Sequence, residues 1–210
     1  VVNFAFQGKV DVINTGVWTK KAIKDAKLFA EVNVIASSED DGFRRIPDVK
    51  SLKIDKDADY VYICDNNTIY GSKYKEYPDT GDIPLVADMS SCFLSEPIDV
   101  TKFGIIFAGA QKNVGPAGVT IIIIRDDLVA RSKDLPLPVY LRYAPHVENG
   151  SMYNTPPTYG IYICGKVFKW LLANGGLEAR KVANEAKAKM LYDYLDSSDF
   201  YQTSVDKDSR

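Results

Sequence analysis

Two residues in this chain have types and spacing that suit covalent chemistry: an acid, Asp88, and an amine, Lys112, 24 positions apart. Asp88 closes the apolar run Ile83 to Ala87. Lys112 is boxed in by Ala108, Gly109, Ala110, Gly115, Ala117 and Gly118, residues so small that its nitrogen can be closely approached. An amine that condenses with an aldehyde must be held where its uncharged form is favoured. Pyridoxal phosphate chemistry needs such an amine and, on the far side of the cofactor, an Asp that keeps the pyridine nitrogen protonated so that the ring can accept a carbanion's electrons. Taken singly, an Asp at a strand end is ordinarily a turn or cap residue, and a Lys in a Gly-rich loop is ordinarily solvated.

What could bring the two together is a pair of strands. Phe103 to Phe107 lies between them and reads as a strand; if it pairs in parallel with Ile83–Ala87, both groups reach one sheet edge, where open α/β sheets bind ligands. Val119 to Ile124 is a third run without alternation, and all three read as the centre of a sheet buried on both faces. Upstream, Lys9 to Asn14 reads as a strand. Thr15-Gly16 punctuates it before a helix that Trp18, Ala22, Ala26 and Phe29 make one-sided. Val32 to Ala36 and Tyr60 to Cys64 are further strands, the latter running into the turn-forming cluster Asp65-Asn66-Asn67-Thr68. Leu135 to Gly150, with three prolines, reads as a long irregular connection holding the lone histidine, His146, in a structural or surface role. Asn154-Thr155 precedes Pro156-Pro157, a helix start whose free N–H groups favour a phosphate. A helical stripe from Ile161 to Leu172 ends at Asn174-Gly175-Gly176. The helix after it, about Leu177 to Leu195, carries Ala179, Ala183, Ala186, Met190 and Leu191 on one side.

Composition narrows the class. The 210 residues are 46% apolar and 26% charged, with net charge −2 from 26 basic and 28 acidic residues, as in an ordinary globular protein. No basic stripe exists to follow nucleic acid. Arg44 and Arg45 read as a solvated surface pair. Three scattered cysteines and one histidine argue against a metal site and for a reducing cytoplasmic setting. No run approaches the ~20 apolar residues a membrane helix needs. Ser90, Ser91 and Cys92 lack a GxSxG context, and neither GxGxxG nor GxxxxGK[ST] occurs, which weighs against a serine hydrolase and a nucleotide-binding domain. The chain opens on Val1 with the strand-like VVNFAFQGKVDVIN and ends in the polar run Ser204 to Arg210, as a piece from within a longer protein would.

The ordered strings DMSS, FLS, PIDVTKFG, FAGAQKNVGPAG and NGSMYNTPPT resemble the phosphoserine aminotransferase family, of class V and fold type I. The resemblance implies an α/β fold, a mostly parallel sheet flanked by helices, with residues 1–195 a partial pyridoxal-phosphate-binding large domain and 196–210 the start of a connection into a small domain. It implies a Schiff base on Lys112, Asp88 on the pyridine nitrogen, Gln111 in the cofactor-phosphate site and Thr68 on the ring hydroxyl. Asn154 and Thr155 would reach the cofactor phosphate of a neighbouring subunit, hence a homodimer with shared sites. The implied reaction is amino transfer between phosphoserine and 2-oxoglutarate, giving 3-phosphohydroxypyruvate and glutamate, in the phosphorylated route to serine. Cys92 stands where the family commonly has a polar residue, and Gln111, where a cysteine desulfurase would have His, disfavours that relative. Three family features are expected to lie in front of this chain: a glycine-containing turn at the phosphate, the tryptophan stacked on the ring, and a His-Arg substrate pair. A small domain with a carboxylate-gripping arginine is expected behind it. Without them the free-standing chain should lack turnover, since two anionic groups of phosphoserine would meet too few cations. The competing expectation is an inactive binding or dimerisation module.

Overall fold

The computed structural model describes residues 8–133 and 135–210; the strand-like opening 1–7 lies outside them. A six-stranded mixed sheet organises the chain. Its strands are β1 (Lys9–Asn14), β2 (Glu31–Ser37), β3 (Tyr60–Cys64), β6 (Leu85–Asp88), β7 (Ile105–Gly109) and β8 (Thr120–Ile124), in the order β2-β1-β3-β6-β7-β8. A two-residue hairpin, β4 (Asn66–Asn67) with β5 (Ser72–Lys73), follows β3. All neighbours in the large sheet are parallel except β7 and β8.

The central strands are mostly apolar because both faces are covered, and successive side chains alternate between the faces. Val61, Ile63, Leu85, Ala87, Ile106 and Ala108 enter one core; Val10, Val12, Tyr60, Tyr62, Val86 and Ile105 enter the other. The second core is closed by the helix α1 (Val17–Ala26) through Ala22 and Ile23, and by Leu128 of α2 (Asp126–Arg131).

Four expectations change. Val119–Ile124 is not central: β8 is an antiparallel edge strand with Ile122 and Ile123 exposed. The reason is the short turn from Gly109 to Thr120. A parallel neighbour needs a crossover of roughly a dozen or more residues, usually helical, and this turn has no helix. Leu135–Gly150 is less irregular than its prolines suggest, forming a 3-10 turn at Val139–Leu141 and the helix α3 (Tyr143–Glu148). On α1 the inward stripe is Thr19, Ala22, Ile23 and Ala26; Trp18 and the post-helical Phe29 lie outside it and are exposed. The long helix α5 (Gly176–Asp196), which follows α4 (Thr158–Ala173), has no buried residue, and Met190 and Leu191 of its apolar side are open. Residues 197–210 fold back, Arg210 forking onto Asp196 at 2.8 Å through both terminal nitrogens and Asp206 N–H donating to Arg44 O. No helix among the described residues is long and apolar enough to cross a membrane.

Candidate active site

The carboxyl ends of the parallel strands converge on one edge. Register pairs Cys64 with Asp88 and Asp88 with Phe107, so the last residue of β6 sits between the ends of β3 and β7. Its carboxylate accepts from Ser90 N–H at 2.9 Å, and the Ser90 hydroxyl accepts from Gly109 N–H at 3.1 Å, tying the two strand ends.

Lys112 is carried on the turn after β7. That turn is closed by Val114 and Gly115 N–H groups donating to Ala110 O, and Asn113 Nδ2 donates to Phe93 O at 2.8 Å. Gly115 permits the turn to pack on α4: a Cβ there would lie 2.7 Å from Cys164 Sγ. With its neighbours pinned, the exposed Lys112 reaches outward, donating to Thr68 Oγ1 at 3.2 Å with its Nζ 5.4 Å from the centroid of the Trp18 ring. Trp18 Nε1 donates to the same Thr68 oxygen at 3.4 Å. Three segments remote in sequence therefore meet at one hydroxyl.

Asp88 belongs to the same side of the sheet. Two residues beyond Val86, it shares the face on which α1 packs, and Trp18 sits one turn before Ala22 on that helix. Electrostatics agree: burial, reinforced by the carboxylates of Asp88 and Asp65, pushes the Cys64 thiol up to about 12, and Lys112 opposes the rise. Tyr62 is likewise pushed well above its ordinary value by burial, with Asp88 as the next cause. An amine, a carboxylate and an aromatic face around one open edge are the donor set that a pyridoxal-type ring requires.

Gln111 folds back over the end of β7, its Oε1 2.5 Å from where a Gly109 Cβ would be. Asn154 and Thr155 are exposed on the loop leading into α4, and no described contact joins them to Lys112, Thr68 or Asp88. Pro157, rather than a side-chain oxygen, occupies the N-cap position of α4. Cys92 is no nucleophile: buried, it donates its S–H to Asp65 Oδ2 at 2.8 Å, and burial together with Asp65 pushes its thiol far upward. Arg45 pairs with Asp40 and Asp41, and Arg44 with Asp206, as a surface pair would. His146 contacts Tyr140 O at 2.9 Å and packs on the Tyr140 and Tyr153 rings. A cavity of about 910 Å³ is lined by residues such as Lys73, Cys92, Glu96 and Lys181, and neither Lys112 nor Asp88 lines it. Trp18, whose spacing with Ala22 and Ala26 placed it on the inward side, stands instead at this edge beside Thr68 and Lys112; only the folded helix shows that Thr19 takes the inward position.

A family model described as aminotransferase class-V matches residues 3–210. The chain belongs to the class-V aminotransferases. Among curated relatives, the phosphoserine aminotransferase of Lysinibacillus sphaericus is 49% identical over 203 residues, covering 96% of this chain and 56% of its own length. That of Niallia circulans is 46% identical, with coverage of 100% and 58%. The chain thus spans somewhat more than half the length of these relatives. Among solved structures, the phosphoserine aminotransferase of Bacillus circulans subsp. alkalophilus superposes with a TM-score of 0.95 at 44% identity, over all of this chain and 60% of that one. The PLP-bound enzyme of Trichomonas vaginalis gives 0.90 at 38%, over the same shares. The architecture of this class-V aminotransferase is the large domain of fold-type I pyridoxal-phosphate enzymes.

Proposed function

We propose that this class-V chain is the cofactor-binding part of a phosphoserine:2-oxoglutarate aminotransferase of serine biosynthesis, working in the cytoplasm as a homodimer. What carries the reading is the arrangement of Lys112 and Asp88 at the carboxyl ends of adjoining strands, on the side of the sheet where the Trp18 ring stands. Pyridoxal phosphate, when bound, supplies an aldehyde for the lysine and a ring that accepts electrons from the substrate's Cα. Lys112 would hold the cofactor through its amine and, with that amine free, would carry the proton at the substrate's Cα. Its turn is pinned on both sides while the side chain is exposed, so the amine can swing without moving the backbone. Asp88 holds the pyridine nitrogen in its protonated form, its own carboxylate oriented by Ser90 N–H. Trp18 is the aromatic wall for the ring, so the expectation that this wall lies in front of the chain is replaced by a residue within it. The Thr68 hydroxyl serves the ring's oxygen and Gln111 the phosphate. Asn154 and Thr155, exposed before a helix N-terminus, serve the phosphate in the partner subunit's site. Three free, buried cysteines suit a reducing compartment.

The test is incubation with pyridoxal phosphate, reduction with borohydride and peptide mapping. Modification of Lys112, lost in Lys112→Ala, is expected. An unmodified Lys112 would overturn the reading and leave the assembly module.

A further inference from the structure

The contact between Trp18 and Thr68 is made by side chains at the tips of two separate segments, and something must hold those segments in register. Neither residue can do it: both are exposed, and one hydrogen bond of 3.4 Å between exposed groups is weak. Beneath them lies Asn67, with 1% of its surface exposed. Its Nδ2 donates to Thr15 Oγ1 at 3.1 Å and to Ser72 Oγ at 3.2 Å, so one buried amide spans the turn that starts α1 and the β5 side of the hairpin. Its main-chain carbonyl, separately, accepts from Tyr70 and Gly71 N–H, at 3.2 and 2.8 Å, closing the tight loop that presents Thr68. Gly16, between Thr15 and the helix, is packed against it: a Cβ on Gly16 would fall 2.8 Å from Asn67 Oδ1 and 3.1 Å from the Tyr70 ring.

We propose that Asn67 is a positioning residue for the ring site, its buried amide fixing the start of α1, and hence Trp18, against the loop that carries Thr68. The chemistry is specific to an amide. It donates two hydrogens to two buried hydroxyls and keeps an oxygen beside Gly16, which an aliphatic side chain cannot do. Buried polar partners left unpaired are costly, so the register of the two segments is a single low-energy arrangement rather than a range. The proposal rests on the reading above that this edge takes a pyridoxal-type ring.

The experiment uses the whole chain with Trp170→Phe, which leaves Trp18 as the sole tryptophan, since the sequence has two. In the cofactor-free protein, Asn67→Ala and Thr15→Val are expected to shift Trp18 emission to the red and increase its quenching by acrylamide. Ser72→Ala, which removes the bond on the far side of the amide, is expected to lower the melting temperature while leaving Trp18 emission unchanged. In a pyridoxal phosphate titration, Asn67→Ala and Thr15→Val are expected to weaken binding roughly tenfold, the equivalent of about 1.4 kcal/mol or one lost hydrogen bond. Should Asn67→Ala fail to fold, Thr15→Val and Gly16→Ala carry the same test from the other side of the contact. Unchanged Trp18 emission and quenching in folded variants would overturn the proposal, as would a displaced Trp18 with unaltered pyridoxal phosphate affinity. If the parent chain itself takes no pyridoxal phosphate at Lys112, the functional reading fails, while the fluorescence arm still decides whether Asn67 sets the position of Trp18.

Discussion

Gly104, just before β7, and Gly109, its last residue, are expected to respond oppositely to the same added methyl group. At Gly104 a Cβ would lie 2.7 Å from Pro84 Cβ and 2.9 Å from Leu128 Cδ1. The proline ring is rigid and Leu128 is 2% exposed, so neither neighbour can retreat. Overpacking of this kind costs about 1–3 kcal/mol, which in a domain of roughly 150–250 residues lowers the melting temperature by about 2–4 °C per kcal/mol. At Gly109 the nearest atoms are Oε1, Nε2 and Cδ of Gln111, at 2.5, 3.0 and 3.1 Å, the far end of an exposed and flexible side chain. That amide can swing away, so Gly109→Ala should stay within about 0.5 kcal/mol of the parent. The displaced amide is the one assigned to the cofactor phosphate, so the variant should still bind pyridoxal phosphate more weakly. Urea unfolding of both variants and a pyridoxal phosphate titration of Gly109→Ala supply the assay. Equal losses of stability, or a Gly104→Ala protein as stable as the parent, would refute the steric reasoning. Unweakened binding by Gly109→Ala would refute the placement of Gln111.

Two other outcomes follow from the charges. With the Cys64 thiol pushed up to about 12 and the Cys92 thiol raised further, neither forms thiolate near pH 8. Iodoacetamide should leave both unmodified in the native chain and alkylate them in urea; rapid native labelling would contradict the buried placement. Hydrogen bonds from Arg210, then Lys207, hold the Asp196 carboxyl down at about 2, below its ordinary 3.8. A depressed acid stabilises the fold above its unfolded value and loses that contribution as pH falls through the folded one. Residues 197–210 should therefore become more susceptible to pepsin between about pH 4 and pH 2, and Arg210→Ala should weaken this dependence, Lys207 retaining the rest.

Much of the frame was legible because it rests on local signals. Lys9–Asn14 and Tyr60–Cys64 are strands with the expected bounds, since β-branched and aromatic runs cut off by turn formers leave little choice. The meeting of the Asp88 and Lys112 segments was legible because parallel neighbours must place their carboxyl ends together. What escaped depends on tertiary context. An apolar run such as Thr120–Ile124 does not declare whether it is central or at an edge; the length and lack of a helix in the preceding turn decided that. Trp18 read as core because periodicity counts hydrophobicity and not direction. The helix turns Thr19, a small hydroxyl residue, inward instead, leaving the indole free to face Lys112. Asn67 read only as a turn former, because its partner Thr15 lies 52 positions away.

The central claim is that one amine and one acid hold the two ends of the same ring. A crystal structure of the chain after reaction with pyridoxal phosphate and borohydride tests it most directly. The account predicts a pyridoxyl group on Lys112 Nζ, its ring nitrogen within about 2.7–3.2 Å of an Asp88 oxygen and its face against Trp18. A pyridoxyl group on Lys112 that points away from the strand ends, with Asp88 bonded to Ser90 alone, would contradict it.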